Sequence, residues 1–108
     1  MTTLTPPYRL LSLGDGDDVT FTASRYELGD AADPHGLMGG RGRAPMLRVW
    51  IPGSHTGSPD DYLDFTSRRL IAELPALLAE FAGTGARIRI LADGVPPRTI
   101  YTVAAEPA

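Results

Sequence analysis

The stretch Met46-Leu47-Arg48-Val49-Trp50-Ile51-Pro52-Gly53 decides how the rest of the chain is read. Leu47, Val49 and Ile51 alternate with Met46, Arg48 and Trp50, the period of two expected of a strand with one buried face. The aliphatic trio is assigned to the core. That choice turns the Arg48 guanidinium and the Trp50 indole toward water or a partner. Pro52-Gly53 ends the strand, because proline lacks the ladder donor and glycine admits a turn.

Toward the N-terminus, Gly29–Pro45 holds five glycines and two prolines and reads as a long loop. Connections of that length inside compact domains are usually functional or disordered. Before it, Val19, Phe21 and Ala23 alternate with Thr20, Thr22 and Ser24, but Tyr26 and Leu28 fall on the opposite phase. A bulge near Ser24 or Arg25 is expected, since one extra residue reverses the facing of all that follows. Gly14-Asp15-Gly16-Asp17-Asp18 supplies turn chemistry for a hairpin back to a first strand at Tyr8–Leu13.

Toward the C-terminus, Ser58, Pro59 and Asp61 form a capping-box pattern that predicts a helix start. Leu63, Leu70, Leu74, Leu77 and Phe81 recur at helical spacing, broadened by Ile71 and Leu78. Pro75 is expected to kink or break that helix, Gly83 to end it, and Asp64 to pair with Arg68 one turn on. Two strands follow, Ala86–Ala92 and Thr99–Ala104, joined through Gly94-Val95-Pro96-Pro97.

The order β-β-β-α-β-β predicts an α+β fold: a mainly antiparallel five-stranded sheet or small barrel with one Pro-broken helix. From Tyr8 to Ala104 it resembles, as an order of elements, the oligonucleotide/oligosaccharide-binding fold, a Greek-key barrel with a helix between its third and fourth strands. A single domain is expected over residues 8–104, with flexible ends at 1–7 and 105–108.

The composition supports folding. Of 108 residues, 43% are apolar and 21% charged, with a net charge of −3, outside the regime of disordered chains. There is no cysteine, which excludes disulfides and thiolate metal sites. No segment reaches the roughly 20 apolar residues of a membrane span, and no secretory leader is recognised, so a cytoplasmic location without membrane contact is expected. Every basic side chain is arginine; lysine, asparagine and glutamine are missing. A GC-rich coding genome, bacterial or phage, explains that bias more simply than selection for phosphate binding.

Charge is unevenly spread. Residues 15–33 carry six acids against Arg25, whereas residues 34–59 carry Arg41, Arg43 and Arg48 with no acid, together with His35, His55 and Trp50. Arg87 and Arg89 are expected to project from a later strand as Arg48 and Trp50 do. The glycine-rich run 35–43 lacks the Lys-Ser/Thr ending and following helix of a P-loop. Its Met38 and Leu37 suit either an arm that orders on a partner or a plainly disordered segment, since both share this composition. Asp15, Asp17 and Asp18 lack the remaining ligands of a calcium loop, His35 and His55 lack metal-ligand spacing, and Ser58 is better read as a cap than as a nucleophile.

The expectation is a non-enzymatic interaction module, a small subunit or accessory protein that binds a protein partner or its own copies. Its contact residues are Met38, Arg41, Arg43, Arg48, Trp50, Arg87 and Arg89, with no catalytic residue, metal or cofactor assigned. The alternative is a single-stranded nucleic-acid-binding domain, where bases stack on Trp50 and arginines follow phosphates. A small enzyme with a pocket between sheet and helix is the third reading.

Overall fold

The computed structural model describes residues 2–32, 42–54, 56–95 and 98–108. In chain order the elements are β1 (Thr2–Thr3), β2 (Asp18–Ala23), β3 (Arg25–Ala32), β4 (Arg43–Trp50), β5 (Tyr62–Phe65), α1 (Arg68–Glu80), β6 (Ala86–Asp93) and β7 (Ile100–Pro107). The fold is α+β, with seven strands in two sheets and not five in one. One sheet is mixed, ordered β1-β3-β4-β5 with β1 parallel to β3; the other is antiparallel, ordered β2-β6-β7. Neither sheet closes on the other, because β5 and β7 are not hydrogen-bonded.

The phase reversal after Ala23 is real, but its device is a change of sheet and not a bulge. β2 pairs with β6, the chain turns at Ser24, and β3 pairs with β4. The Ser24 amide donates to the Trp50 carbonyl at 2.9 Å, which pins the corner. Strands that switch sheets at a bend are one way two layers are joined around a single core.

Between the layers lie Phe21 and Ala23 of β2, Leu47 and Val49 of β4, Ile51 just beyond it, Phe65 of β5, and Ile88 and Ile90 of β6. α1 completes that core with Leu70, Leu74 and Leu78, one stripe at four-residue spacing. The helix begins nine residues later than the capping box implies, at Ser67, whose Oγ accepts the Leu70 amide at 3.4 Å. Ser58 instead accepts the Asp60 amide in a tight turn, and Leu63 belongs to β5. Pro75 lies inside one continuous helix, so the expected break is absent; the missing donor removes only the bond to the Ile71 carbonyl.

Tyr8–Leu13 forms no strand. Leu10 makes an isolated parallel bridge with Asp64. The aspartates before β2 close no hairpin with that segment either: Asp15 Oδ1 accepts the Gly94 amide, and Gly16 and Asp17 bond the backbone of Ala92. The predicted loop at 29–45 is shorter than expected, since β3 runs to Ala32 and β4 starts at Arg43. The two ends read as frayed carry pairing: Thr2 and Thr3 lie beside Gly29 and Asp30, and β7 extends to Pro107.

A second, smaller cluster of Leu4, Ala31 and Met46, flanked by Tyr8 and Leu10, sits on the outer face of the mixed sheet. Residues 2–10 therefore lie across that face. Gly29 makes the approach feasible, because a side chain there would run into the Thr2 carbonyl.

Leu74 is fully buried among these elements. Leu74→Ala is expected to cost about 2–5 kcal/mol in urea denaturation, whereas Leu91→Ala, on the exposed face of β6, should change stability by less than about 0.5 kcal/mol.

Candidate functional site

The outer face of β4 and β5 carries the most concentrated chemistry among the described residues. Antiparallel pairing sets Trp50 opposite Tyr62 and Arg48 opposite Asp64, while β3 sets Arg25 opposite Trp50. The Arg25 guanidinium stacks over the Trp50 ring, 3.7 Å from its centroid, and the Trp50 and Tyr62 centroids are 6.4 Å apart. Arg48 and Arg9 lie over the Tyr62 ring at 4.1 and 4.8 Å. A pair of adjacent rings is thus flanked by cations, Arg25 on Trp50 and Arg48 with Arg9 on Tyr62, an arrangement favoured by the negative face of each ring.

Arg48 is not a free guanidinium. It is only 6% exposed, and its Nε and Nη2 donate to the Asp64 carboxylate at 2.8 and 3.2 Å. Its Nη2 also donates to the Thr5 carbonyl at 2.8 Å. Burial pulls the Arg48 pKa down, but the hydrogen bonds and charge of Asp64 outweigh that and hold it above its ordinary value. Asp64 also accepts the Arg9 amide at 2.8 Å, and its backbone bonds Arg9 and Leu11. The expected Asp64–Arg68 pair is therefore replaced by a buried pair between neighbouring strands.

The open part of this face is Arg25, Trp50 and Tyr62. Arg25 is exposed, the two rings are partly so, and the indole N–H has no hydrogen-bond partner among the described residues. Beside them Asp61, buried to 1% exposure, accepts the amides of Thr56 and Gly57 and the Thr56 hydroxyl, and lies 3.6 Å from Arg9. That carboxylate shapes the 56–61 loop in place of capping a helix.

Of the other expected contact residues, Arg43, Arg87 and Arg89 do not join this face. Arg87 and Arg89 project from the outer face of the antiparallel sheet, where they pair with Glu106 and Asp18 at 2.8 and 2.6 Å. Arg43, exposed at the start of β4, pairs with Asp30 and bonds the Thr3 hydroxyl. Met38 and Arg41, with His35 and His55, lie outside the described residues. Arg9, Arg25 and Tyr62 are absent from the sequence-based set. Tyr62 has a sequence signal only once residues 62–65 are recognised as a strand beside β4.

No known protein-family model matches the chain, and no curated protein or solved structure matches it. No described helix is long and apolar enough to cross a membrane.

Removing one member of a buried ion pair leaves the other charge without compensation. Asp64→Ala should therefore cost about 3–5 kcal/mol in chemical denaturation, and Asp64→Leu combined with Arg48→Met should recover most of it. On the other sheet, the hydrogen bond from Arg89 leads over desolvation, and with its charge holds the Asp18 carboxyl below the ordinary value. A depressed carboxyl stabilises the fold above its unfolded titration range, near about pH 4, and that contribution fades as pH falls through the folded pKa. Arg89→Ala should raise the Asp18 midpoint in a carboxyl-carbon NMR titration; an unmoved midpoint would refute the assignment.

Proposed function

We propose that this chain is a non-enzymatic interaction module that docks a protein partner on the Arg25–Trp50–Tyr62 stack, with the glycine-rich segment between β3 and β4 as a second contact. The observation that carries the reading is the stack itself. Trp, Tyr and Arg are the residue types that dominate interface energetics. Here they are pre-aligned on strands and partly exposed, and the indole N–H has no partner among the described residues. Pre-alignment lowers the ordering cost of binding. The covering of Arg48 by residues 2–10 leaves a compact aromatic patch with polar neighbours, the core-and-rim pattern of a protein interface.

A second reading has its own support. If the two-residue β1 is set aside and β2 and β3 are taken as one bent strand, the order of strands and helix matches that of the oligonucleotide/oligosaccharide-binding barrel, with the helix after the third strand. In that fold the second and third strands, here β4 and β5, supply the ligand face. Residues 2–10 lie across much of that face, and the chain is acidic overall, which weighs against nucleic acid.

The two readings separate in one pair of measurements. With a photo-crosslinking residue at exposed Ser24, whose amide donates to the Trp50 carbonyl, the protein-docking reading expects a discrete crosslinked protein from source-cell extract that disappears when Arg25→Ala or Trp50→Ala is added. Intrinsic fluorescence of the unmodified protein should not respond to a mixed-sequence oligonucleotide. Salt-sensitive quenching by the oligonucleotide, or a crosslinking pattern indifferent to Arg25, would overturn it.

A further inference from the structure

Charge compensation singles out a different place. Among the described arginines, Arg9, Arg43, Arg48, Arg87 and Arg89 are each ion-paired with a carboxylate, and Arg25 stacks on Trp50. The remaining three, Arg68, Arg69 and Arg98, have no ion-pair partner among the described residues, and all three line one cleft of about 720 Å³. It lies between the start of α1 and the start of β7.

The local chemistry sharpens the point. Arg68 and Arg69 are the first two residues of α1, whose first turn holds no acid. The positive end of a helix dipole favours carboxylates and disfavours cations. Two arginines there, with Arg98 lining the same cleft, break a local rule without compensation among the described residues, and such breaks concentrate at functional sites. Ser67 occupies the amides of Leu70 and Ile71, through its Oγ and its carbonyl, whereas those of Arg68 and Arg69 have no partner among the described residues. The Thr99 hydroxyl, in the same cleft, is buried and without a hydrogen-bond partner.

We infer that this cleft binds a small phosphorylated molecule carrying two or more phosphoryl charges, such as pyrophosphate or a nucleoside triphosphate. Three guanidiniums suit phosphate oxygens through paired N–H donors. The Arg68 and Arg69 amides, unpartnered among the described residues, add fixed donors to the same ligand. A cleft of this volume falls in the range of small-ligand sites, about 300–1,000 Å³. By contrast, the opening on the outer sheet face beside Arg87 and Arg89 has its cations already neutralised by Glu106 and Asp18. The inference shares no residue with the Trp50 stack and stands without it.

Isothermal titration calorimetry of the full chain with pyrophosphate, a nucleoside triphosphate, sulfate and a mixed-sequence oligonucleotide tests it. Saturable binding of the first two is expected, with sulfate much weaker. Arg98→Ala and Arg69→Ala should each weaken binding about tenfold or more, the scale of one charge-assisted hydrogen bond. Trp50→Ala and Arg87→Ala should leave it unchanged, and circular dichroism should show all variants folded. The inference falls if no anion saturates, if the arginine variants bind like wild type, if sulfate and pyrophosphate bind equally weakly as adventitious ions only, or if the oligonucleotide alone binds.

Discussion

The buried pair of Arg48 and Asp64 is the constraint around which one side of the molecule is organised. Charges removed from water need both an opposite charge and further hydrogen bonds, or the desolvation cost exceeds the Coulomb gain. Neither β4 nor β5 alone supplies those extra partners. The segment before β2 does: the Thr5 carbonyl accepts from the Arg48 guanidinium and the Arg9 amide donates to the Asp64 carboxylate. Leu4 and Met46 then seal the apolar flank of the same contact. The N-terminal segment is thus held in place by the polar demand of the sheet it covers, without a regular strand of its own beyond Thr2–Thr3.

That covering also decides what the face can offer. With Arg48 neutralised and sheltered, the reactive display narrows to Arg25, Trp50 and Tyr62 at one end of β4. The arginines of the antiparallel sheet are neutralised in cross-strand pairs. Apart from Arg25 on the stack, the described arginines without an ion-pair partner, Arg68, Arg69 and Arg98, line one cleft between the starts of α1 and β7. A chain with net charge −3 therefore presents two distinct chemistries, an aromatic stack on one sheet and a cationic cleft beside the helix start.

Much of the fold was legible because its strands alternate cleanly. Residues 19–23, 46–51, 86–92 and 99–104 all fall within or beside observed strands, and the phase reversal at Ser24 correctly marks a structural event. The failures around the candidate site have one physical source. A four-residue strand at Tyr62–Phe65 is too short to show its period, and Ser58 with Asp61 mimics a helix cap. Asp61 is in fact drawn inward by the amides of Thr56 and Gly57. Losing β5 hid everything built on it: the Trp50–Tyr62 pair, the Arg48–Asp64 pair, and the covering by residues 2–10. Trp50 on an outer face was readable from period alone; its partners depend on long-range pairing, which local pattern does not encode.

Amide hydrogen exchange resolved to single residues tests this account most directly. The amides of Leu4, Arg9 and Leu11 donate to Asp30, to the Asp64 carboxylate and to the Asp64 carbonyl. If the buried pair anchors the N-terminal segment, these three should be strongly protected, and their protection should fall together in Asp64→Asn while β6 amides stay slow. Exchange at unstructured-chain rates for all three in the wild-type protein, with β4 still protected, would contradict it.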